Sequence, residues 1–193
     1  MTLRGAIAAA VTPLTEGGVS LDLEAFGRLV AFLAEGGVDG VLTCGTTGEA
    51  PTLQAAERTR VVEIVVDEAR GRVPVLAGAG GYDTREVAEA ARAMHAAGAS
   101  GLLSVTPYYN KPTPEGLFRH YQAIAEATPL PIVVYNVPGR TGCNVDPGTL
   151  ARLSTIPRVA GVKEASGNMT QICEVLRAVP PEFLVLCGDD ALT

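Results

Sequence analysis

The chain has 193 residues, 47% of them hydrophobic and 19% charged, and 15 Lys and Arg against 21 Asp and Glu give a formal net charge of −6. A domain usually takes about 100–200 residues, so residues 1–193 are expected to form a single domain or part of a larger one. The acidic balance argues against nucleic-acid binding. The apolar content argues against disorder, and no apolar stretch reaches the about 18 residues of a membrane span.

The thiols and imidazoles indicate neither a disulfide framework nor a metal site. The four cysteines are scattered without a CxxC pair, which predicts a cytoplasmic protein with free thiols. The first apolar run, Ala6–Val11, is too short for a signal peptide and is interpreted as a strand. His95 and His120 lie in no HExxH motif, so both are expected on helix surfaces and no zinc is expected.

Short apolar runs recur along the chain, each followed by a helical pattern, which is typical of the alternating strands and helices of a parallel sheet. Their nearly continuous apolar character predicts strands that are covered on both faces. The seven predicted strands are Ala6–Val11, Val38–Thr43, Val73–Ala77, Gly101–Val105, Pro131–Tyr135, Val159–Lys163 and Phe183–Cys187.

Six helices are predicted in strict alternation with these strands, from apolar spacing and capping residues. The first contains Phe26, Leu29, Val30 and Leu33 and is capped at Gly36, and the second covers Gln54–Arg70. The third starts at Asp83, and the fourth starts at Thr113 with Pro114 next. The fifth covers Asp146–Leu153, and the sixth starts at Asn168.

Two α/β architectures fit this alternation, a doubly wound sheet and a (β/α)8 barrel. A dinucleotide-binding doubly wound sheet needs a GxGxxG loop after its first strand, but that strand ends at Thr12-Pro13. The nearest match, Gly78–Gly81, lacks the last glycine and is interpreted as a turn. A barrel instead collects polar residues at the carboxyl ends of several strands.

The sequence has that barrel pattern, so we predict a TIM barrel. A complete barrel takes about 250 residues, so we expect an incomplete one, C-terminally truncated, without its eighth strand–helix unit. The polar segments that follow the strands are Gly45–Glu49, Thr106–Asn110, Tyr135–Arg140, Lys163-Glu164 and Gly188–Asp190.

Lys163 is the sharpest chemical feature, because the chain has 13 Arg but only two Lys, and this one ends an apolar strand. Burial would lower the pKa of its ammonium group and leave a neutral amine able to attack a ketone. The alternative is a strand-end lysine that reaches solvent or pairs with Glu164. Lys111, beside Pro112, is interpreted as a solvated loop cation.

Polar groups near the ends of other strands could complete such a site, although each also has an ordinary structural interpretation. Tyr135 could shuttle protons or lie at the boundary of the core. Thr46 and Thr47 could hold a carboxylate or form a plain turn in which Thr52 caps the next helix. Arg140, placed in a loop, could bind a second carboxylate or be merely exposed, and the Tyr108-Tyr109 pair could mediate packing.

Together these groups predict a class I aldolase or dehydratase that acts on a keto acid, whereas phosphate substrates fit less well. At these residues the chain resembles the dihydrodipicolinate synthase family of pyruvate-dependent class I aldolases, whose fold is a (β/α)8 barrel with added C-terminal helices. The matching segments are Ala10–Pro13, Gly45–Glu49, Val105–Asn110, Tyr135–Gly142 and Gly161–Asn168.

The resemblance implies that Lys163 forms an imine with pyruvate, without a separate cofactor or metal. Tyr135, Thr46 and Tyr109 would relay protons, and Thr46 and Thr47 would hold the pyruvate carboxylate. Arg140 would bind L-aspartate 4-semialdehyde, with Gly188 also in the substrate site. The product, 4-hydroxy-tetrahydrodipicolinate, leads to diaminopimelate and lysine.

The resemblance also implies a homotetramer built from tight dimers, with Tyr109 reaching the neighbouring subunit's site. Some family members are inhibited by lysine, and Glu86 and Tyr108 match the sensitive pattern. Ala55 and Arg58 stand where sensitive members often have histidine, and Tyr82 stands where they have asparagine. Feedback inhibition is therefore not expected.

Three alternatives remain open. N-acetylneuraminate lyase and 2-keto-3-deoxy sugar-acid aldolases would share Lys163 and Tyr135, but Arg140 favours the synthase pattern. A truncated chain could instead be non-catalytic. A doubly wound domain would bind a nucleotide.

Overall fold

The computed structural model describes residues 3–192, which form two compact units. Unit 1 comprises the chain up to Gly78 together with Arg92–Leu102, and unit 2 comprises Ala79–Ala91 and the chain from Leu103 onward. The strands are β1 (Ile7–Ala9), β2 (Gly40–Thr43), β3 (Val75–Gly78), β4 (Gly101–Val105), β5 (Ile132–Asn136), β6 (Val159–Glu164) and β7 (Leu184–Cys187), hydrogen-bonded in chain order.

The helices of the described residues alternate with the strands, except for one extra helix after β5. Two short 3₁₀ helices, Ala50–Thr52 and Asp190–Leu192, follow β2 and β7. The α-helices are α1 (Leu23–Glu35), α2 (Ala55–Ala69), α3 (Thr84–Ala96), α4 (Pro114–Ala127), α5 (Pro138–Thr141), α6 (Pro147–Leu153) and α7 (Met169–Ala178). Among residues 3–192, no helix combines the length and hydrophobicity that a membrane crossing requires.

Unit 1 is built on three parallel strands, with β2 between β1 and β3. All four residues of β2 are buried, as predicted for a strand covered on both faces. Helix α1 buries Phe26 and Val30, while α2 buries Val61 and Val65, so both helices present an apolar face to the core.

Both helices of unit 1 begin at capping residues, and the predicted cap at Gly36 is confirmed. Asp22 accepts a hydrogen bond from the Ala25 amide at the start of α1, and Gly36 caps its end. Helix α2 is capped by Gln54, whose amide donates to Glu57 Oε2. Thr52 therefore does not cap α2, and its hydroxyl donates to the Glu49 carbonyl instead.

Unit 2 contains the parallel strands β5, β6 and β7. Ile132, Val134 and Val162 are fully buried on these strands. Helix α4 packs its apolar side inward, and the hydroxyl of the fully buried Tyr121 donates to the Ser104 carbonyl at 2.9 Å. The buried hydroxyl therefore has a hydrogen-bond partner although the side chain does not contact water.

The prediction of strict alternation was wrong, because α5 and α6 both lie between β5 and β6. Helix α5 covers Pro138–Thr141, with Pro138 at its first position and Gly142 in the left-handed region (φ 66°) at its end. Proline at the first position and glycine just past the end favour a short helical turn. The same residues are typical of loops, which is why Arg140 was placed in one.

Strand bounds differ from the predictions by at most two residues. Strand β1 is the shorter segment Ile7–Ala9, and β4 occupies the predicted range Gly101–Val105. Strands β5 and β6 each extend one residue further than predicted, to Asn136 and Glu164. Both additional residues are polar yet fully buried, and apolar periodicity alone does not reveal such positions.

His120 is buried in α4, so its predicted place on a helix surface was wrong, whereas His95 is exposed. The Nδ1 atom of His120 lies 2.8 Å from the Thr84 hydroxyl, and the His120 ring packs edge-to-face on Tyr121. Burial disfavours the imidazolium form and lowers the pKa of His120 from 6.5 to about 4.

This burial makes stability depend on pH. The unfolded chain binds a proton at His120 near pH 6.5, but the folded chain binds it only near pH 4. The free energy of unfolding should therefore decrease by up to about 3 kcal/mol as the pH falls across that window. We expect His120→Gln to show a smaller loss of unfolding free energy between pH 7 and pH 4.5 in urea titrations. His95→Gln is the control, and an unchanged loss in His120→Gln would contradict the assignment.

Candidate active site

Lys163 and Tyr135 form the centre of the candidate site in unit 2. They are register partners on the neighbouring strands β6 and β5, so their side chains leave the sheet on the same face. The Nζ atom of Lys163 lies over the Tyr135 ring, 4.6 Å from its centroid. Tyr135 is only 8% exposed, and its hydroxyl makes no hydrogen bond with another residue of the range 3–192.

Burial and nearby charges act in opposite directions on the pKa of Lys163. Burial lowers the pKa of Lys163 because the ammonium form loses hydration, while the charges of Asp190 and Asp189 raise it and partly oppose the shift. The net direction is downward. A neutral amine beside a phenol has the components needed for imine formation, a nucleophile and a group that can transfer protons.

Lys163 does not pair with Glu164, the structural alternative considered from the sequence. Successive residues of a strand point to opposite faces, so the two side chains diverge. The fully buried Glu164 carboxylate instead accepts hydrogen bonds from Asn136 and from the Ser166 amide, each at 2.9 Å. Lys163 therefore makes no ion pair with Glu164 and lies against the Tyr135 ring.

Gly188 provides the space that the Lys163 side chain occupies. A Cβ atom at this position would lie 2.8 Å from Lys163 Cε, 3.1 Å from Lys163 Cγ and 2.8 Å from Ala165 Cβ. The backbone cannot retreat easily, because the Gly188 amide donates to the Glu164 carbonyl at 2.8 Å. The predicted substrate-binding residue is thus also a residue that leaves room for the amine.

Arg140 lies on the short helix α5, and its side chain is exposed. It takes part in no ion pair or side-chain hydrogen bond with other residues of the described range. A free guanidinium presents a planar fork that fits a carboxylate. This position suits its predicted contact with a second anionic substrate.

Tyr109 is not brought to the Lys163–Tyr135 pair by this chain alone. It is 89% exposed and adopts a left-handed backbone conformation with φ of 68°. The preceding Tyr108 packs edge-to-face on Tyr82, with ring centroids 5.4 Å apart. The role of Tyr109 in a neighbouring subunit's site stays a prediction.

Thr46 and Thr47 belong to unit 1, where both are exposed in the turn after β2. The turn is held by the Glu49 amide, which donates to the Thr46 carbonyl, and by the Thr12 hydroxyl, which donates to the Gly48 carbonyl at 2.6 Å. Exposed hydroxyls in a fixed turn are suited to an anion. Their carboxylate contact and the relay role of Thr46 stay predictions.

A buried polar cluster on the opposite face of β5 and β6 was missed from the sequence. Asn136 donates to Glu164 and to Asn144 Oδ1, and Gln171 of α7 exchanges hydrogen bonds with Asn144. A polar residue directly after each reactive one, in Tyr135-Asn136 and in Lys163-Glu164, was the available signal. The apolar pattern does not reveal this signal, because it predicts that both strands end one residue earlier.

The part of the chain that the structure describes contains no cluster of side chains suited to a metal ion. No group of three or more His, Cys, Asp or Glu side chains there is arranged around a possible ion. All four cysteines are free thiols, of which Cys44 and Cys143 are buried. The expectation that the site works through a covalent imine, without a cofactor, stays a prediction.

Known proteins resemble this chain over nearly its whole length. The model of the "Dihydrodipicolinate synthetase family" matches residues 2–193. A 4-hydroxy-tetrahydrodipicolinate synthase from Syntrophus aciditrophicus is 49% identical over 190 residues, which are 98% of this chain and 65% of the relative. The chain therefore spans slightly less than two thirds of the length of such curated relatives.

Solved structures agree with this relationship and identify the fold as an incomplete (β/α)8 barrel. Dihydrodipicolinate synthase from Aquifex aeolicus has a TM-score of 0.95 at 41% identity, covering 99% of this chain and 65% of that one. The chloride-inhibited synthase from Acinetobacter baumannii, solved with pyruvate, has a TM-score of 0.95 at 43% identity, covering 98% and 65%. The chain belongs to the dihydrodipicolinate synthetase family.

Proposed function

We propose that this site condenses pyruvate with L-aspartate 4-semialdehyde through an imine on Lys163, giving 4-hydroxy-tetrahydrodipicolinate for diaminopimelate and lysine synthesis. The observation that carries the proposal is the half-buried Lys163 amine held over the Tyr135 ring at 4.6 Å. The printed name of the Syntrophus relative and the pyruvate complex of the Acinetobacter structure support the choice of reaction and of first substrate.

The chemistry begins when the neutral Lys163 amine attacks the ketone carbon of pyruvate. Both amine protons pass to the ketone oxygen, which leaves as water, and the nitrogen becomes an imine. Loss of a methyl proton gives an enamine, whose carbon attacks the aldehyde of the second substrate and forms the new carbon–carbon bond. The substrate's own amine then displaces Lys163 as the ring closes.

Tyr135 is the group that can move protons in these steps. Its ring lies against the Lys163 amine, and its hydroxyl has no competing partner in the described residues. Thr46 and Tyr109 would extend the relay, and Thr46 and Thr47 would hold the pyruvate carboxylate. Positioned proton transfer typically contributes about 10²–10⁴-fold to a rate.

Arg140 would recognise the carboxylate of the aldehyde substrate. We expect Arg140→Ala to raise the KM for L-aspartate 4-semialdehyde by at least about tenfold, because a charge-assisted bidentate contact contributes about 1.5–3 kcal/mol. Trapping of the pyruvate imine by borohydride should be unchanged, since that step precedes aldehyde binding. Arg152→Ala, which removes another exposed arginine of unit 2, is the control. Equal KM values in Arg140→Ala and wild type would contradict this role.

Assembly and location extend the proposal. We expect a homotetramer of tight dimers, in which the exposed Tyr109 side chain enters the neighbouring site. Sedimentation equilibrium would measure the mass directly, and Tyr109→Ala should lower turnover only if the subunits associate. A cytoplasmic location is proposed on the same basis of family membership.

The reaction is tested by offering pyruvate with different aldehydes and identifying the product by mass spectrometry. Product should form with L-aspartate 4-semialdehyde. Faster consumption of pyruvate with N-acetylmannosamine would favour a sialic-acid lyase, and with D-glyceraldehyde a sugar-acid aldolase. An imine without product from any aldehyde would favour a chain that is not catalytically competent by itself.

A further inference from the structure

The second register pair of β5 and β6 lies directly beside the reactive one. Tyr135 pairs with Lys163, and the next residues, Asn136 and Glu164, pair with each other. Asn136 and Glu164 are both fully buried. Their side chains leave the opposite face of the strands, so they contact neither the amine nor a substrate bound to it.

These two side chains are joined by a hydrogen bond. Asn136 Nδ2 donates to Glu164 Oε2 at 2.9 Å. The other carboxylate oxygen accepts from the Ser166 amide at 2.9 Å, and Gln171 Nε2 approaches Oε2 at 3.5 Å. In each of these contacts the Glu164 carboxylate is the acceptor, and no cation pairs with it among residues 3–192.

Asn136 ties the same point of the sheet to the segment that follows α5. Its Oδ1 atom accepts from the Val145 amide, and its Nδ2 also donates to Asn144 Oδ1, both at 3.0 Å. Asn144 is in turn bonded to Gln171 of α7. The pair thus anchors both strands to their flanking segments one residue beyond the reactive pair.

The backbone shows why such an anchor matters. The register between β5 and β6 already shifts once, between Ile132 and Val133. Strand pairs tolerate slippage where side chains do not specify the register, and a one-residue slip reverses the face of every side chain. A slip of this kind would turn Lys163 away from Tyr135.

We propose that Asn136 and Glu164 are positioning residues, whose buried hydrogen bond holds β5 and β6 in the register that places Lys163 Nζ over the Tyr135 ring. The inference rests on the proposed function only for the role of Lys163 as nucleophile. A buried network in which every member is satisfied stabilises one arrangement, and breaking one partner is costly.

Glu164→Gln breaks this bond with almost no change in size. If the glutamine oxygen keeps the Ser166 amide, its NH₂ group faces the NH₂ group of Asn136, and two donors oppose each other. Asn136→Asp in the same chain would reverse the bond, because the new carboxylate accepts from glutamine while still accepting from Val145. The side-chain amides of Asn144 and Gln171 bond each other and can turn over together, so that Asn144 donates to the new carboxylate where it now accepts from Asn136. The double variant should therefore restore what the single variant loses. Glu174→Gln on α7 removes the same charge at an exposed site and is the control.

The position of Lys163 can be read without any reaction. The chain has only two lysines, so ¹³C labelling at the lysine ε-carbon gives two signals, and Lys111→Arg assigns them. Protons beside the face of an aromatic ring are shielded, so the Lys163 signal should be displaced in wild type. The displacement should be lost in Glu164→Gln, kept in Glu174→Gln and recovered in Asn136→Asp/Glu164→Gln.

A second readout concerns the titration of Lys163. The titratable groups that face it are Tyr135 from β5 and Asp189 and Asp190 after β7, while Glu164 on its own strand faces away. Loss of the register would expose the amine to water, so the midpoint of the ¹³C titration should rise in Glu164→Gln. Trapping of pyruvate by borohydride should slow by at least about tenfold and recover in the double variant.

The outcomes separate the two proposals. A folded Glu164→Gln variant with lowered Tm, but with an unchanged Lys163 signal and unchanged trapping, would overturn the positioning role. Wild type that fails to trap pyruvate while its Lys163 signal is displaced would overturn the proposed function alone. Should Glu164→Gln not fold, Asn136→Ser removes the same bond from the other strand without opposing two donors, and the same predictions apply.

Discussion

Lys163→Ala is expected to abolish the adduct that borohydride forms in the presence of pyruvate. The amine is the atom that bonds to the ketone, so its removal eliminates the step and does not merely slow it. Turnover should fall by at least about 10³-fold, as is found when an essential nucleophile is deleted. Peptide mass mapping of wild type should place one reduced pyruvate on the peptide that contains Lys163.

Lys111 supplies the matched control, because it is the chain's other lysine and is exposed. Lys111→Ala should retain the adduct and its position. An adduct on Lys111 in the wild-type chain would contradict the assignment. So would an adduct that persists in Lys163→Ala while circular dichroism shows a folded protein.

Gly188→Ala should slow imine trapping by about 10²-fold, although it touches no reacting atom. Its methyl group would lie 2.8 Å from Lys163 Cε and equally close to Ala165 Cβ, and neither contact is tolerated without movement. The Ala165 atom is fixed to the backbone, so Lys163 must leave its place over Tyr135. Displacement of a catalytic group by about 1 Å can cost a factor of this size.

The control for Gly188→Ala is an alanine placed where it can be accommodated. Gly27 lies inside α1, and a Cβ atom there meets only the end of the Glu68 side chain, at 3.3 Å. Gly27→Ala should keep full trapping and raise the free energy of unfolding by about 0.5–1 kcal/mol. Borohydride trapping stopped at successive times would measure the trapping rates of both variants, and urea titrations would measure their free energies of unfolding. Equal trapping rates for Gly188→Ala and wild type would refute the steric argument.

Most of the fold was predictable because buried parallel strands leave a simple signature. Runs such as Gly101–Val105 are apolar apart from one small residue, Ser104. Helix starts are marked by residues such as Thr113 and Asn168, both confirmed as caps. Helix α5 was not predictable, because its Pro138 and Gly142 occur equally in loops. The burial of His120 depends on packing between helices, which its own sequence neighbourhood does not specify.

The residues of the candidate site were likewise predictable only in part. Lys163 and Tyr135 could be selected because an amine and a phenol ending apolar strands are chemically conspicuous, and the structure brings them together. Asn136 and Glu164 could not, because their importance lies in a hydrogen bond across two strands that depends on register. Gly188 was selected for substrate binding, whereas its steric relation to Lys163 appears only in three dimensions.

The alternation of faces in β6 has a consequence for how this region can change length. Lys163 and Glu164 occupy opposite faces at the end of the strand, one beside a ring and the other inside a polar cluster. Deleting a single residue upstream within β6 would put the Glu164 carboxylate where the amine stood, and adding one would put Val162 there. Within this strand, therefore, even one inserted or deleted residue would remove the nucleophile from its place over the Tyr135 ring.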